Sequence, residues 1–335
     1  MKASRIMRLV TLPLILAAIS SSSAEAQKGK PHPPPDPAIA YINGTLTGDL
    51  MVMNADGSNR QKIFDDAVFS NHAPSWSPDG SHLVVMQSTG SYQNWISVLD
   101  RDGSNRRDVI PTSDFLWVRP AWSPLPLADG NSKILYRDGV NQQSDLYLVN
   151  LDGTGVGNIT STPEYNEISP TWSPAPPARF AAMRFTNDPY ASYGDLIVYD
   201  VVYENSLFSA VLSLNLTSDG PLKGFEVNDP AWAKTQDKIA VAAFGDIWVI
   251  DLAEPYNPTR LTNTAAYSER FPSWSADDSQ IVYSRTPHNT SRKEKPGVFV
   301  MNADGTGTRA LVYPSDGSWL DWRRCCPNCD TVCAQ

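Results

Sequence analysis

The stretch PSWSPDG, residues 74–80, decides the fold of this chain because it recurs along the sequence. It returns as PAWSPLP at 120–126, PTWSPAP at 170–176, PAWAKTQD at 230–237, PSWSADD at 272–278 and, in a last form, GSWLDW at 317–322. The tryptophans that mark the six copies lie 42 to 60 residues apart: Trp76, Trp122, Trp172, Trp232, Trp274 and Trp319. Repeats of roughly 40–50 residues are typical of propeller blades or solenoid units.

The sequence between the tryptophans distinguishes these two architectures. Each repeat contains short apolar runs, such as HLVVMQ at 82–87 and NWISVLD at 94–100, which turn residues divide. Four such runs per repeat predict four strands, so a propeller fits and a helical solenoid does not. The N-terminal edge provides three strands and GSWLDW provides the fourth. We therefore predict an all-β, six-bladed propeller of four-stranded antiparallel blades over residues 38–323, with both chain ends sharing one blade.

The motif residues have structural explanations. A tryptophan on an inner strand fills the wedge between two blades, and Ser-Pro-Asp-Gly forms a turn. A catalytic Ser77 or Asp79 is disfavoured because the same residues occur in several repeats. The Asp-Gly pairs, such as Asp102-Gly103, also predict turns. The surrounding DRDGSNRRD (100–108) lacks the spacing and the terminal Glu of a calcium loop, so no cofactor is predicted, with calcium as the alternative.

The pattern P-x-W-S-P-D-G with apolar runs and M-N-A-D-G is matched almost in full at 41–86 and 297–305. In these residues the chain resembles the TolB-type (WD-like) propeller family, and the resemblance covers nearly the whole predicted mature chain. It implies six blades. The chain resembles only the propeller domain of that family, because the Pro-rich linker QKGKPHPPPDP (27–37) is all that stands between the predicted leader and the first strand.

The N-terminus has the pattern of a secretory signal peptide. Basic residues precede an apolar run at 9–20, and Ala24-x-Ala26 supplies a cleavage pattern, so residues 1–26 are predicted to be removed. No later stretch approaches the ~18 apolar residues of a membrane-spanning helix. We expect an exported protein, periplasmic or extracellular, that does not span the membrane.

The charge of the chain restricts its partners. The formal net charge is −9. Removal of the predicted signal peptide, which carries two more positive than negative charges, makes the chain still more negative. Because such a chain repels phosphate backbones, nucleic acid is a poor candidate. The expected partner of this predicted monomer is an envelope or secreted protein, or a glycan.

The positions just before each Pro-x-Trp differ from blade to blade, whereas the motif does not. In a propeller these segments lie at one mouth of the central channel, together with the loops 88–94, 138–144, 185–194 and 285–297. Divergence on a constant scaffold indicates a binding face, although solvated polar loops are the simpler alternative. The predicted binding residues are Asn71, His72, Arg119, Glu167, Asp229, Glu269 and Arg270.

The predicted function is therefore that of a non-enzymatic scaffold that binds a protein or glycan through its channel-mouth loops. The alternative is an enzyme, since some propellers that resemble this chain are lyases or hydrolases of acidic polysaccharides, often with a metal. In that case His72, Glu167, Asp229 and Arg119 are the catalytic candidates, with the arginine holding a substrate carboxylate. No G-x-S-x-G elbow or paired-histidine metal motif is present in the sequence.

All four cysteines lie in the tail, residues 324–335: Cys325, Cys326, Cys329 and Cys333. Disulfides are permitted in an exported protein, and a bond between the adjacent Cys325 and Cys326 would be strained. The favoured prediction is therefore a disulfide-linked tail beside the closing blade, in one of the two other pairings. A zinc site or a thiol-redox role for Cys326-x-x-Cys329 are the alternatives.

Overall fold

The computed structural model describes residues 38–44, 48–64, 70–88, 94–112, 119–140, 143–186, 194–218, 222–253, 256–289, 295–313 and 318–324. The predicted signal peptide, the linker and the four cysteines lie outside the described residues. In the described ranges no α-helix occurs, and none therefore has the length and hydropathy needed to cross a membrane.

The described residues form six sheets of four antiparallel strands, which confirms the predicted fold class. The closing sheet contains β1 (Ile39–Asn43), β2 (Asp49–Met53), β3 (Gln61–Phe64) and, from the other end of the chain, β24 (Ser318–Trp322). The next two contain β4 (Ser70–Trp76), β5 (His82–Ser88), β6 (Asn94–Asp100) and β7 (Arg107–Thr112), then β8 (Ala121–Trp122), β9 (Lys133–Val140), β10 (Gln143–Asn150) and β11 (Gly157–Asn158).

The last three sheets follow in chain order. They contain β12 (Tyr165–Trp172), β13 (Arg179–Thr186), β14 (Asp195–Glu204) and β15 (Leu207–Asn215), then β16 (Val227–Trp232), β17 (Lys238–Ala243), β18 (Asp246–Asp251) and β19 (Pro258–Arg260), then β20 (Tyr267–Trp274), β21 (Gln280–Pro287), β22 (Gly297–Asn302) and β23 (Arg309–Val312). Numbered from the closing sheet, these six sheets are blades one to six.

The first strand of each motif is the innermost strand of its blade, and these six strands surround a central channel. The strands β24, β4, β8, β12, β16 and β20 contact one another in that order, and β20 contacts β24 again. In the closing blade β24 pairs with β1, so that Ile39 faces Trp322. The two ends of the described chain therefore share one blade, as predicted, and the ring is closed.

The core lies between the blades, where the repeat tryptophans are buried. One cluster joins Ala240 and Ile247 of blade five to Trp274 and Tyr283 of blade six. The indole Nε1 of Trp274 donates a hydrogen bond, at 3.0 Å, to the carbonyl oxygen of Ala231 on the neighbouring blade. The tryptophans thus fill the wedges between blades, as the sequence indicated.

The Asp-Gly turns also connect blades. Gly103 has a φ of 86°, and the Asp102 carboxylate accepts a hydrogen bond from the backbone N–H of Ser104 at 2.9 Å, so the predicted turn is confirmed. A Cβ atom at Gly103 would lie 1.7 Å from the carbonyl oxygen of Ile63, in the fourth strand of the preceding blade. Glycine is therefore needed both for the backbone conformation and for the close approach of the two blades.

Each of five innermost strands has a residue with positive φ three positions before its tryptophan. These bulge residues are Ala73 (44°), Ser169 (54°), Asp229 (52°), Phe271 (55°) and Trp319 (54°). The strand register shifts at the same places, which is the signature of a β-bulge. Arg119 occupies the corresponding position before Trp122 in the remaining repeat.

The bulge corrects the alignment of the last repeat, because Trp319 is a bulge residue and Trp322 is the true repeat tryptophan. The backbone N–H of Trp322 donates to Ser273 Oγ at 2.9 Å, just as that of Trp232 donates to Thr171 Oγ1 at 3.0 Å. GSWLDW contains two tryptophans three residues apart and lacks the motif proline. The sequence alone could not distinguish between them.

The strand registers define two sides of the ring. Tyr267 at the beginning of β20 faces Pro287 at the end of β21, and Tyr165 likewise faces Thr186. The innermost strands therefore begin on the same side as the connections between the second and third strands, and we call this the start side. The innermost strands end on the opposite side, the finish side, where the turn at 77–80 lies.

Candidate functional site

The predicted binding residues lie three to five positions before the repeat tryptophans, on or near the innermost strands. Asn71 and His72 pair with Gln87 and Met86 across β4 and β5, but their side chains lie outside the described residues. The start-side loops at 65–69, 89–93, 113–118, 187–193 and 290–294 are also outside them. Of the predicted binding face, the structure therefore describes the innermost strands and only part of the loops, such as residues 138–140 and 143–144.

Glu167 connects two blades. Its carboxylate is fully buried and accepts hydrogen bonds from Thr162 Oγ1 at 2.5 Å and from Thr160 Oγ1 at 3.3 Å, both in the segment that follows blade three. The Tyr199 hydroxyl of its own blade donates to it at 3.3 Å. Burial raises the pKa of Glu167, because the charged form loses its hydration. These contacts place Glu167 in an interblade network and not in the lining of the channel cavity described below.

Glu269 repeats this arrangement between blades five and six. It is also fully buried, and it accepts hydrogen bonds from Thr262 Oγ1 and, at 2.7 Å, from Thr264 Oγ1. It differs from Glu167 by an ion pair, because the Arg285 guanidinium lies 2.9 Å from its carboxylate. The two glutamates share a role in blade packing that the sequence did not reveal.

Asp229 and Arg270 form an ion pair between the innermost strands of blades five and six. Arg270 Nε donates to the buried Asp229 carboxylate, and the backbone N–H of Phe271 donates to the same oxygen at 3.3 Å. The Arg270 side chain is 43% exposed. Among these predicted residues it therefore offers a solvent-accessible charge beside the ring of bulge residues.

Arg119 is the predicted residue that enters the central cavity, whose volume is about 60 Å³. The cavity lies toward the finish side, because its lining includes two residues that follow repeat tryptophans, Lys234 and Arg324. All six blades contribute to the lining, and the carboxylate in it belongs to Asp321. Lys234 Nζ lies 3.1 Å from Asp321 Oδ1, and Arg324 Nη1 donates to the Lys234 carbonyl oxygen at 2.9 Å.

Lys234, Asp321 and Arg324 were not predicted from the sequence, although a signal for two of them is present. The second position after the repeat tryptophan is proline in three repeats, Pro78, Pro124 and Pro174, but it is Lys234 and Arg324 in two others. In the sequence alone, these departures from Trp-Ser-Pro are indistinguishable from a loss of similarity between repeats. In the fold they bring two cations into the channel.

The described residues contain no group of three or more His, Cys, Asp or Glu side chains that could hold a metal ion. Of the candidates of the enzyme alternative, Glu167 bonds to threonines, Asp229 bonds to Arg270 and Arg119 lines the cavity. The side chain of His72 lies outside the described residues, so the set as a whole stays a prediction.

The geometry defines a closed six-bladed β-propeller with a charged central cavity. No protein-family model and no curated protein matches the chain in sequence. Among solved structures, TolB from Acinetobacter baumannii is similar with a TM-score of 0.61 at 17% identity, over 86% of this chain and 67% of that one. A putative TolB from Agrobacterium tumefaciens has a TM-score of 0.55 at 17% identity, over 83% of this chain and 89% of that one.

A structure of a nidogen/laminin complex is also similar, with a TM-score of 0.59 at 10% identity, over 86% of this chain and 99% of that one. At such identities the likeness concerns the fold. The chain has the fold of the TolB-type propellers, in agreement with the motif residues.

Proposed function

We propose that this protein is an exported, non-enzymatic binding protein that holds a protein or a glycan at the start side of its ring. The observation that carries the proposal is the exposed guanidinium of Arg270 beside the ring of bulge positions. Five innermost strands repeat the same bulge and Arg119 holds the corresponding position in the sixth repeat, yet the six positions hold six different residues: Ala73, Arg119, Ser169, Asp229, Phe271 and Trp319. Four of these residues, Ala73, Ser169, Asp229 and Trp319, are buried, whereas the side chain of Arg270 beside them is 43% exposed.

Arg270 is the residue that we assign to partner contact. Its guanidinium lies 5.2 Å from the centre of the Phe271 ring, and Phe271 packs against Trp319 at 4.7 Å. A planar cation on an aromatic support is suited to carboxylates and to the hydroxyl-rich faces of glycans. The predicted signal peptide at 1–26 supports export, to the periplasm or beyond.

The first prediction is that Arg270→Ala weakens partner binding by about tenfold or more, as expected for the loss of a charged interface contact. The measurement is cross-linking capture from the envelope fraction, together with binding to an array of acidic and neutral glycans. The same glycans, incubated with and without a chelator, report turnover if the protein is an enzyme.

Arg260→Ala is the matched control. Arg260 pairs with the buried Asp246 as Arg270 pairs with Asp229, and its side chain is 41% exposed, but it lies on the outermost strand β19. Both variants lose one arginine–aspartate pair, and we expect similar losses of thermal stability. Equal capture by the wild type and both variants would remove Arg270 from the proposal.

A further inference from the structure

The central cavity contains more positive than negative side chains. Arg119, Lys234 and Arg324 line it together with a single carboxylate, Asp321. Burial lowers the pKa of all three cations, because each loses hydration that the cavity does not fully replace. The chain as a whole is acidic, so this concentration of positive charge is local.

The neighbouring charges reduce this excess but do not remove it. The negative charge of Asp229 attracts Arg119, but Asp229 also forms an ion pair with Arg270. Asp278, which acts on Lys234 and Arg324, accepts hydrogen bonds from the backbone N–H groups of Lys234, Thr235 and Gln236. With Arg270 and these two carboxylates included, four cations face three anions. These seven groups together carry a net charge of +1.

One hydrogen-bonding group of the lining lacks an acceptor among the described residues. Arg119, which lines the cavity, has a buried Nη1 with no acceptor there. A buried donor without a partner is costly, so this atom needs an acceptor. A carboxylate or phosphate offers only acceptors and also supplies the missing negative charge.

The size of the cavity agrees with this chemistry. About 60 Å³ is room for several waters, since one water needs roughly 10–15 Å³ by this measure. A carboxylate or phosphate group fits such a space. We propose that the central cavity is a binding site for one carboxylate or phosphate group, held by Arg119 with Lys234 and Arg324.

The site shares Arg119 with the ring of bulge positions, but it lies toward the finish side, and the partner contact of the proposed function is assigned to Arg270. Its cations come from blades three, five and one, so a bound anion would connect three blades across the channel. The group can belong to a free small anion or to a chain that reaches into the cavity from the finish side. Because the two tests substitute different arginines, Arg270 and Arg119, either proposal can fail without the other.

The test measures thermal unfolding and calorimetric binding of the purified protein with sodium acetate and with sodium phosphate, at constant ionic strength against sodium chloride. We expect the unfolding midpoint to rise in a saturable way with either oxyanion. Arg119→Met is expected to weaken binding roughly tenfold to a hundredfold, because it removes a charge-assisted hydrogen bond. Arg119→Lys, which keeps the charge but loses the planar fork, should retain part of the affinity.

Arg184→Met is the control variant, because Arg184 also has a buried Nε without a partner among the described residues but does not line the cavity. It should respond to oxyanions as the wild type does. A short peptide with a free C-terminal carboxylate, compared with its amidated form, distinguishes the sources of the group. Tighter binding of the free-acid peptide than of acetate supports an inserted chain, and equal or weaker binding supports a free anion.

Two outcomes would overturn the proposal. One is a wild-type protein whose unfolding midpoint responds to oxyanions no more than to chloride. The other is a folded Arg119→Met variant, with a cooperative unfolding transition, whose response equals that of the wild type. The wild-type measurement alone keeps the proposal testable even if Arg119→Met does not fold.

Discussion

Glu167 and Glu269 lie five residues before a repeat tryptophan, and both bind threonines of the preceding segment, but only Glu269 has a guanidinium at 2.9 Å. In the register of β12 and β13, Arg184 faces Glu167, yet its guanidinium lies near Asp195, at 3.6 Å, and 4.2 Å from the centre of the Tyr165 ring. The charge of Glu167 is therefore less well compensated. One of these buried carboxylates is a stabilising ion-pair partner, and the other is a group that resists ionisation.

We expect Glu167→Gln to change the pH dependence of stability. Burial raises the pKa of Glu167 in the folded protein above its unfolded value of about 4.3, so the protonated form favours folding. This contribution is fully present below the unfolded pKa and is lost as pH rises through the folded pKa. The free energy of unfolding of the variant should therefore gain on the wild type as pH rises above about 4.3. Urea unfolding at several pH values measures this, and a pH-independent difference would contradict it.

Glu269→Gln should behave differently, because it leaves the largely buried Arg285 without its counter-ion. Removal of one partner of a buried ion pair costs roughly 3 kcal/mol. The same urea titrations at pH 7 compare the two variants. A loss for Glu269→Gln no larger than that for Glu167→Gln would show that Arg285 contributes little.

At the scale of the element, the Asp-Gly turn both reverses the chain and allows two neighbouring blades to pack closely. Only the first of these properties could be predicted from the sequence. The pair Asp102-Gly103 predicted a turn, and the turn is present. The contact of Gly103 with the carbonyl oxygen of Ile63 was not predictable, because it depends on how two blades pack. The same contact recurs for Gly153 against Val109 and for Gly305 against Leu261.

The variants Gly103→Ala and Gly130→Ala separate the cost of backbone strain from the cost of the contact between blades. Both glycines have positive φ, 86° and 81°, but a Cβ at Gly130 would meet nothing within 4 Å. We expect Gly130→Ala to cost about 1 kcal/mol from backbone strain alone. Gly103→Ala should lose a further 1–3 kcal/mol or so, because it also pushes two blades apart. Chemical unfolding measures both, and equal losses would mean that the blades yield without cost.

At the scale of the whole molecule, Asp321 connects four blades across the channel. From the closing blade it accepts hydrogen bonds from the Trp76 backbone N–H at 2.9 Å, from Ser273 Oγ at 3.1 Å and from Lys234 Nζ at 3.1 Å. These partners lie 48 to 245 residues away in sequence. A single carboxylate thus helps to hold the closing blade in place.

Asp321→Asn should lower the free energy of unfolding by roughly 3 kcal/mol, because Lys234 loses its buried counter-ion. Hydrogen exchange should rise first in β1 and β24, which form the closing pair. Asp237→Asn breaks the exposed pair with Arg179 and should cost less than about 1 kcal/mol. Protection of β1 and β24 that stays unchanged in Asp321→Asn would rule out this role.

Most of the fold could be predicted from the sequence, and little of the site could. The repeats around Trp76, Trp122 and Trp172 determine the number and the internal order of the blades, because each blade is a local unit. The bulge at Trp319 escaped prediction, since it depends on strand register. Lys234 and Asp321 escaped it too, because their contact joins residues 87 positions apart across a channel that only the closed ring creates.

The closing pair of strands also sets how the ring would respond to a mechanical load. The backbone N–H of Arg323 donates to the carbonyl oxygen of Ala38 at 2.8 Å, so the outermost bonds of the β1–β24 ladder lie where both segments leave the blade. A force that pulls these two points apart loads the ladder one bond at a time, as in unzipping, and not all bonds together, as in shear. The β1–β24 pair, which closes the ring, is therefore expected to separate first when the two chain segments that leave it are pulled apart.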